Sequence, residues 1–240
     1  MFDFADWFRG KYSDSINTGG PYPSYTFDDE LIWAAAWLYR ATGEQTYRDK
    51  AVAWYSQTGG DWNGASLGWD SKVLGNQVLM WEVTGDPMYK GHAVSTCDAK
   101  MAAGPWSPQG LLVIDMWGSL RHATTFGFAC MLADDRFVEF AQSQINYCLG
   151  KTGRSFVVGY GNNPPTHCHH RGASCSNGWC ADPNNPAENP NVIVGALVGG
   201  PAAPDDYYND VRSDYVMNEV AMDYNAGFTG CLAGLVQKGL

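Results

Sequence analysis

The sequence lacks any apolar run near the about 20 residues that a membrane-spanning helix needs. It is also poor in positive charge, with 15 Lys and Arg residues against 25 Asp and Glu residues and a formal net charge of −10. This deficit disfavours nucleic acids and anionic membranes as partners, because both attract basic surfaces. No secretory signal peptide is recognisable, since residues 1–8 have the pattern of the end of an amphipathic helix, so we expect the chain to begin in mid-structure.

Aromatic residues, in contrast, are abundant. They make up 14% of the chain and include 10 Trp and 13 Tyr. Aromatic rings stack on sugars, but most rings in a protein pack between helices, as we expect for Trp33, Trp37, Trp54 and Trp81. With 45% hydrophobic residues the chain can bury one sizeable core, so residues 1–240 are predicted to form part of a single domain.

Seven cysteines leave at least one thiol without a partner in the chain, because the count is odd. One disulfide is expected within the cluster of Cys168, Cys175 and Cys180. This cluster and its neighbouring histidines lack the regularly spaced ligand pairs of a structural zinc site, so no metal is predicted there. The other cysteines lie in helical patterns, where buried free thiols are common: Cys97, Cys130, Cys148 and Cys231.

Helical hairpins repeat along the chain. One apolar helical stripe ends at Gly43 and a second helix pattern follows, and the same plan recurs around Gly85, 42 residues later. A weaker third copy surrounds residues 133–135. Repeats of about 40 residues bury their apolar faces only against neighbouring repeats, which predicts an all-α helical solenoid closed on itself.

Two segments carry the chemistry of a sugar-cleaving site. In residues 208–226, Asp210 and Glu219 stand nine residues apart with aromatic residues beside them. Carboxyl groups exchange protons, and aromatic faces stack on pyranose rings. In residues 155–174, glycines and prolines predict a loop that contains His169 and Arg171, two groups able to hold hydroxyls. On spacing alone, a solvated acidic loop is the commoner explanation of such an acid pair.

Together these segments resemble the two signature motifs of glycoside hydrolase family 9, a family of cellulases. The first agrees at Ser155, Val157, Val158, Gly161, Asn163, His169 and Arg171 and departs at Cys168. The second agrees at Tyr208, Asp210, Tyr215, Glu219, Ala221, Asn225 and Ala226. Residues 117–121, Trp-Gly-Ser-Leu-Arg, and residues 69–72, Trp-Asp-Ser-Lys, are similar to two further segments of the family's cleft.

The resemblance implies a role for each matched residue. Glu219 corresponds to the general acid that protonates the leaving glycosidic oxygen, and Asp210 to an acid that orders the site and holds substrate hydroxyls. His169 joins them at the catalytic centre as a sugar-binding donor. The implied substrate-binding residues are Arg171, Trp117, Arg121, Tyr224 and Trp69.

The resemblance also implies an (α/α)6 barrel, a ring of helical hairpins with the active-site loops at one end. This chain contains about three such hairpins, so residues 1–240 are predicted to be the C-terminal part of one catalytic domain, without its N-terminal hairpins. The family's Asp-Ala-Gly-Asp segment, whose aspartate is the general base, has no counterpart here. The nearest match, Asp3-Phe4-Ala5-Asp6, is interpreted as surface charge on the opening helix.

The predicted function is therefore hydrolysis of internal β-1,4-glucosidic bonds in cellulose or related β-glucans by an inverting endoglucanase. Inversion needs a base about 6.5–9.5 Å from the acid, which a missing N-terminal segment would supply. A secreted protein without a cofactor is expected, with structural calcium possible by resemblance. Two alternatives stay open: a non-catalytic, degenerate or truncated β-glucan-binding protein, and a polysaccharide lyase or other sugar enzyme on the same barrel. The choice among cellulose, mixed-linkage glucan and xyloglucan is open too.

Overall fold

A computed structural model of the chain describes residues 1–17, 22–58, 66–176, 179–180 and 182–240. The described residues form two compact units. The first unit comprises Met1–Ala102 and Leu132–Asp134, and the second comprises Ala103–Met131 and Asp135–Leu240. The single-domain organisation expected from the sequence stays a prediction.

The first unit is built from helices alone in its described part. They are α1 (Phe2–Trp7), α2 (Tyr12–Ser15), α3 (Asp28–Thr42), α4 (Gln45–Thr58), α5 (Val73–Thr84) and α6 (Pro87–Ala103). Helices α3 and α5 end at the repeated glycines, Gly43 with φ of 73° and Gly85 with φ of 70°. Glycine adopts this left-handed conformation without steric strain and so ends a helix. The predicted helix–turn–helix repeat is confirmed at both positions.

The core of the first unit explains most of its tryptophans. It contains Ile32, Ala35, Ala36, Ala51, Tyr55, Leu79, Met80 and Tyr89, with Trp33, Trp54 and Trp81 packed against it. Trp37 differs from the expectation, because its side chain is 43% exposed and packs edge-on against Trp33. Asp6, interpreted from the sequence as surface charge, pairs its carboxylate with Lys50 and Arg9. These two hydrogen bonds lower its pKa.

The second unit contains α7 (Ser119–Ala133), a 3-10 helix (Asp135–Phe137), α8 (Val138–Leu149), α9 (Arg171–Ser174), α10 (Tyr215–Asn218) and α11 (Met222–Gln237). Between α9 and α10 lies a short antiparallel ribbon of β1 (Cys175–Ser176) and β2 (Trp179–Cys180). Helices α7 and α11 approach closely, because a Cβ atom at Gly227 would lie 2.1 Å from the Thr125 hydroxyl oxygen. The all-α class is confirmed. Across the described residues, no helix is both long and apolar enough to cross a bilayer.

The division of the cysteines into disulfide-bonded and free residues differs in part from the expectation. Cys175 and Cys180 form a disulfide that closes the ribbon, as predicted for that cluster. Cys97 and Cys130 are also disulfide-bonded, so the prediction of free thiols is wrong for both. A helical pattern indicates burial but not which side chain lies opposite, and that is set by tertiary packing. The free cysteines are Cys148, Cys168 and Cys231, all buried.

Candidate active site

Glu219 lies where α10 ends and the chain turns into α11. Helix α10 is capped by Asp214, whose carboxylate accepts the Met217 N–H at 3.1 Å. At Glu219 the backbone becomes extended, with φ of −59° and ψ of 144°, and it pairs with His169 in parallel orientation. The His169 N–H donates to the Asn218 carbonyl at 2.8 Å. The two motif segments predicted to form one site therefore meet at Glu219 and His169.

Asn218, which the sequence did not single out, holds this turn together. Its side chain is fully buried. The Nδ2 group donates to the carbonyls of Asn209, Val211 and Asp214, at 2.8, 3.0 and 3.2 Å. Each of these carbonyls would otherwise need another donor, because buried polar groups without a partner are costly. Asn218 thereby fixes the loop that leads into Glu219.

The carboxylate of Glu219 receives two hydrogen bonds on one oxygen. Trp117 Nε1–H donates to Oε2 at 2.8 Å, and the Tyr224 hydroxyl donates to the same atom at 2.9 Å. Two donors aimed at Oε2 disfavour a proton there, so the proton of the acid form belongs on Oε1. Burial, followed by the hydrogen bond to Glu219, raises the pKa of Tyr224, which keeps its hydroxyl protonated as a donor.

A glycine makes room for this arrangement. Gly118 has φ of 71°, and a Cβ atom there would lie 3.0 Å from both Cζ and the hydroxyl oxygen of Tyr224. Any side chain at this position would add backbone strain and push against the Tyr224 ring. The Trp-Gly-Ser-Leu-Arg segment therefore places its tryptophan beside Glu219 while its glycine admits Tyr224.

Arg121 supports the site from α7, the helix that follows this glycine. Its Nη1 donates to Asp223 at 2.6 Å, its Nη2 donates to the Trp117 carbonyl at 3.3 Å, and its Cζ lies 4.7 Å from the centroid of the Tyr224 ring. Asp223 was not among the predicted residues. Since these donors already have protein partners, the direct sugar contact predicted for Arg121 stays a prediction.

Aromatic surfaces flank the carboxyl group. The rings of Trp117 and Tyr215 lie 5.1 Å apart, and these residues are 44% and 49% exposed. The His169 ring lies 5.9 Å from Tyr215. These three rings form an exposed aromatic surface next to Glu219, which suits the apolar face of a sugar. The sequence placed Tyr215 in the motif but did not assign it to the site.

His169 and Arg171 lie close together in the chain, and both are exposed. The carbonyl of Arg212 can only accept a hydrogen bond, so His169 Nδ1, 2.7 Å away, carries the proton. The neutral ring then offers Nε2 as an acceptor. Arg171 begins the four-residue helix α9 and is exposed.

Asp210 binds the loop that precedes His169. Its carboxylate accepts the N–H groups of Thr166 and His167 at 2.8 and 3.1 Å, and the Thr166 hydroxyl at 3.2 Å. His167 Nδ1 also lies 3.2 Å from it. Both oxygens are thus engaged within the protein, and Asp210 orders the loop that carries His169. A contact between Asp210 and substrate stays a prediction.

Trp69 lies in the first unit, on the loop before α5. Its ring is 42% exposed and packs edge-on against Tyr22, with centroids 5.3 Å apart. Lys72 shapes this loop, because its Nζ donates to the carbonyls of Gly68 and Trp69 at 2.9 and 2.8 Å. Trp69 therefore presents an ordered ring to solvent, and its contact with substrate stays a prediction.

A sequence model of glycosyl hydrolase family 9 matches residues 1–232. The chain belongs to this family. Membership of a hydrolase family overturns the alternative of a polysaccharide lyase.

Curated members of family 9 resemble the chain along almost its whole length. It is 41% identical over 262 residues to Endoglucanase B of Cellulomonas fimi, covering 99% of the chain and 25% of that protein. It is 41% identical over 246 residues to an endoglucanase of Dictyostelium discoideum, covering 98% of the chain and 34% of that protein. The chain thus spans a quarter to about a third of these two family 9 relatives.

Solved family 9 structures agree with the fold. The endoglucanase of the termite Nasutitermes takasagoensis matches with a TM-score of 0.94 and 48% identity, over 100% of this chain and 57% of that one. CelQ of Clostridium thermocellum, complexed with cellotriose, matches with a TM-score of 0.88 and 37% identity, over 99% of this chain and 43% of that one. The predicted (α/α)6 barrel class is confirmed, and the chain accounts for part of that barrel.

Asp29 and Glu30, at the start of α3, place two carboxylates side by side, one buried and one partly exposed. Asp29 is 5% exposed, and its Oδ2 accepts the Lys72 N–H at 2.6 Å. Burial, followed by the neighbouring Asp29 carboxyl group, raises the pKa of Glu30 to about 7. Asp29 Oδ1 and Glu30 Oε2 are buried without a hydrogen-bond partner. Calcium takes about six to eight oxygen ligands, and these two carboxylates would supply only part of that set. The described residues contain no cluster of three or more such ligands.

Proposed function

We propose that this chain carries the acid side of an inverting endo-β-1,4-glucanase active site that acts on cellulose or related β-glucans. The main support is the environment of the Glu219 carboxyl group. One of its oxygens accepts hydrogen bonds from Trp117 Nε1–H and from the Tyr224 hydroxyl, and the group lies beside an exposed aromatic surface. The names of the relatives support the substrate class, and so does the cellotriose complex of CelQ. Because the chain spans only part of these proteins, the general base would come from residues outside it.

In the proposed reaction, a glucan chain lies with its sugar faces against Trp117 and Tyr215. Glu219 transfers the proton on Oε1 to the glycosidic oxygen as the bond to the anomeric carbon breaks. A base on the opposite side removes a proton from the attacking water, which inverts the configuration at that carbon. Trp117 and Tyr224 then stabilise the carboxylate that forms on Glu219, since both remain hydrogen-bond donors to Oε2.

Azide tests the acid without the missing base, because this anion needs no deprotonation. The chain is incubated with cellopentaose and azide, and an α-glycosyl azide is expected as product. Glu219→Gln should abolish it, whereas Glu139→Gln, at an exposed position of α8, should not. A substrate with a dinitrophenolate leaving group needs no proton, so Glu219→Gln should still release it. Equal loss of both substrates would refute the acid role of Glu219.

A second candidate function is non-catalytic β-glucan binding, favoured by the absence of an Asp-Ala-Gly-Asp segment from the sequence. In that case the chain binds cellotriose but yields no glycosyl azide from either substrate.

Either function acts on a polymer too large to enter a cell, so extracellular action is part of the proposal.

Structural calcium belongs to the same proposal. Asp29 and Glu30 would hold the ion, and its charge would add to that of Lys72 Nζ, 3.7 Å from Glu30 Oε1, in balancing one buried and one partly exposed carboxylate. Calcium should then raise the unfolding temperature of the metal-free chain, because an ion that binds only the folded state stabilises it. The variant Glu30→Gln should lose this response, while Glu44→Gln, at an exposed turn, should keep it. An equal response in all three proteins would exclude this pair.

A further inference from the structure

Arg212 is a buried cation that donates to neutral oxygens. It is only 3% exposed. Its Nε donates to Asn189 Oδ1 at 2.7 Å, its Nη1 to the carbonyls of Asp182 and Asn185 at 3.2 and 3.0 Å, and its Nη2 to the Ala187 carbonyl at 2.6 Å. Burying a charge is unfavourable unless fixed dipoles surround it. The planar guanidinium matches this set of acceptors, which a lysine ammonium cannot do.

The segment held by this guanidinium, residues 182–189, is in turn bound to the loop that carries His169. The N–H of Asn189 donates to the Thr166 carbonyl at 2.9 Å, and its Nδ2 donates to the Cys168 carbonyl at 2.9 Å. His167 Nε2 lies 2.9 Å from the Pro186 carbonyl, to which it can only donate. The Arg212 side chain and the loop of residues 166–169 are therefore both hydrogen-bonded to residues 182–189.

The backbone of Arg212 also binds the His169 ring directly. Its carbonyl accepts the Nδ1–H of His169 at 2.7 Å. The position of this carbonyl depends on the guanidinium, because four side-chain hydrogen bonds fix the residue that bears it. The ring of His169 is thus held by the backbone of the same residue whose side chain anchors the surrounding segment.

We propose that Arg212 is a positioning residue for His169. Its anchored carbonyl selects the Nδ1–H tautomer and leaves neutral Nε2 on the exposed ring, beside Tyr215, to accept a hydrogen bond from a sugar hydroxyl. This proposal deepens the proposed function and rests on it for the identity of the ligand. It also changes the sequence-based expectation for His169 from donor to acceptor, because its ring N–H is already committed to Arg212.

The tautomer can be measured directly on the 240-residue chain by long-range 1H–15N correlation of the histidine ring nitrogens at a pH where the rings are neutral. Wild-type His169 should show only the Nδ1–H form. In Arg212→Met both tautomers should be populated, and Arg212→Lys should lie between. A wild-type ring in the Nε2–H form would overturn the proposal, as would an unchanged tautomer in folded Arg212→Met.

Two further variants make the result specific. Arg154→Lys is the matched control, because Arg154 also donates to a loop carbonyl, that of Asn163 at 3.2 Å, but has no bond to His169. It should leave the His169 signals unchanged. If Arg212→Met does not fold, Asn189→Ala removes the acceptor of Arg212 Nε and should shift the tautomer in the same direction. A tautomer that Asn189→Ala leaves unmoved would count against the proposal.

Ligand binding separates this inference from the proposed function. Cellotriose affinity should fall roughly five- to tenfold in Arg212→Met, about the value of one hydrogen bond. If wild-type chain does not bind cellotriose at all, the proposed function fails while the tautomer measurement still decides the role of Arg212. Wild-type affinity in a variant with mixed tautomers would refute the sugar contact through Nε2.

Discussion

At the scale of single residues, the two donors on Glu219 Oε2 do different work. The Trp117 indole is also an exposed stacking surface, whereas Tyr224 is almost fully buried and contributes its hydroxyl. In the proposed function Trp117 would couple sugar binding to the position of the acid, because a ring that moves with substrate moves a donor to Glu219. Tyr224 holds the same oxygen from the protein interior.

Removing the Tyr224 hydroxyl tests this division. Tyr224→Phe keeps the buried ring but deletes one of the two donors to Oε2, so the preference of the proton for Oε1 rests on Trp117 alone and is weaker. We expect about tenfold slower formation of glycosyl azide from cellopentaose, the equivalent of one hydrogen bond. The dinitrophenyl substrate, which needs no proton, should react at an unchanged rate. Equal slowing of both substrates would indicate a general distortion of the site.

The raised pKa of Glu30 predicts a pH dependence of stability. Its folded-state pKa is about 7, against an ordinary value of 4.5, so the folded chain binds more protons than the unfolded chain between these values. The stabilisation is complete below the lower value and is lost as pH rises through the higher one. In metal-free buffer, the unfolding temperature should therefore fall from pH 5 to pH 8. Glu30→Gln should reduce this slope, and an identical slope in both proteins would contradict the prediction.

How much of the site follows from the sequence depends on the kind of residue. Glu219, His169 and Trp117 were predicted because their chemistry and spacing match a motif, and the structure brings them together. Asn218 and Arg212 were missed, because their functions consist of hydrogen bonds to backbone carbonyls, which every residue has: those bound by Asn218 lie four to nine residues before it, and those bound by Arg212 lie 25–30 residues before it. An amide or guanidinium that binds backbone leaves no local pattern in the sequence.

At the scale of secondary-structure elements, features that depend on neighbouring residues were predicted, whereas features that depend on tertiary packing were not. Gly43 and Gly85 predicted helix ends, since a left-handed cap is a property of a few neighbouring residues. The disulfide bonds of Cys97 and Cys130 were not predicted, because they depend on how helices pack. The closeness of α7 and α11 was equally hidden: in the sequence Gly227 is only a poor helix former.

Gly227 should be intolerant of even one methyl group. Its added Cβ would lie 2.1 Å from Thr125 Oγ1 and 2.6 Å from Thr125 Cα, so the backbones of two helices would have to separate. We expect Gly227→Ala to lower the free energy of unfolding by about 1–3 kcal/mol. Chemical denaturation measures this change.

The control for that variant lies in another helix. Gly91 of α6 has no atom within 4 Å of its added Cβ. Gly91→Ala should therefore be neutral or stabilising by up to about 1 kcal/mol, as expected from helix propensity alone. Equal destabilisation by both substitutions would show that packing against Thr125 is not the cause.

At the scale of the whole molecule, residues 2–9, which comprise α1 and the two residues after it, have two unlike faces. Phe2, Asp6 and Arg9 bind α4, through the Trp54 ring and Lys50. The other face carries Phe4, Trp7 and Phe8, which are 67%, 77% and 68% exposed, and the rings of Phe4 and Phe8 lie 5.1 Å apart. A monomeric soluble protein rarely exposes a contiguous aromatic patch of this kind.

The isolated 240-residue chain should therefore associate through this patch. We expect a concentration-dependent increase in its sedimentation coefficient and binding of a fluorescent apolar dye, because burial of the three rings removes apolar surface from water. Replacing Phe4, Trp7 and Phe8 by serine should reduce both signals. Met222→Ser is the matched control, since Met222 is 92% exposed but begins α11, away from α1 in the sequence. If the triple variant associates as strongly as wild type, another surface is responsible for the association, and the prediction for Phe4, Trp7 and Phe8 is wrong.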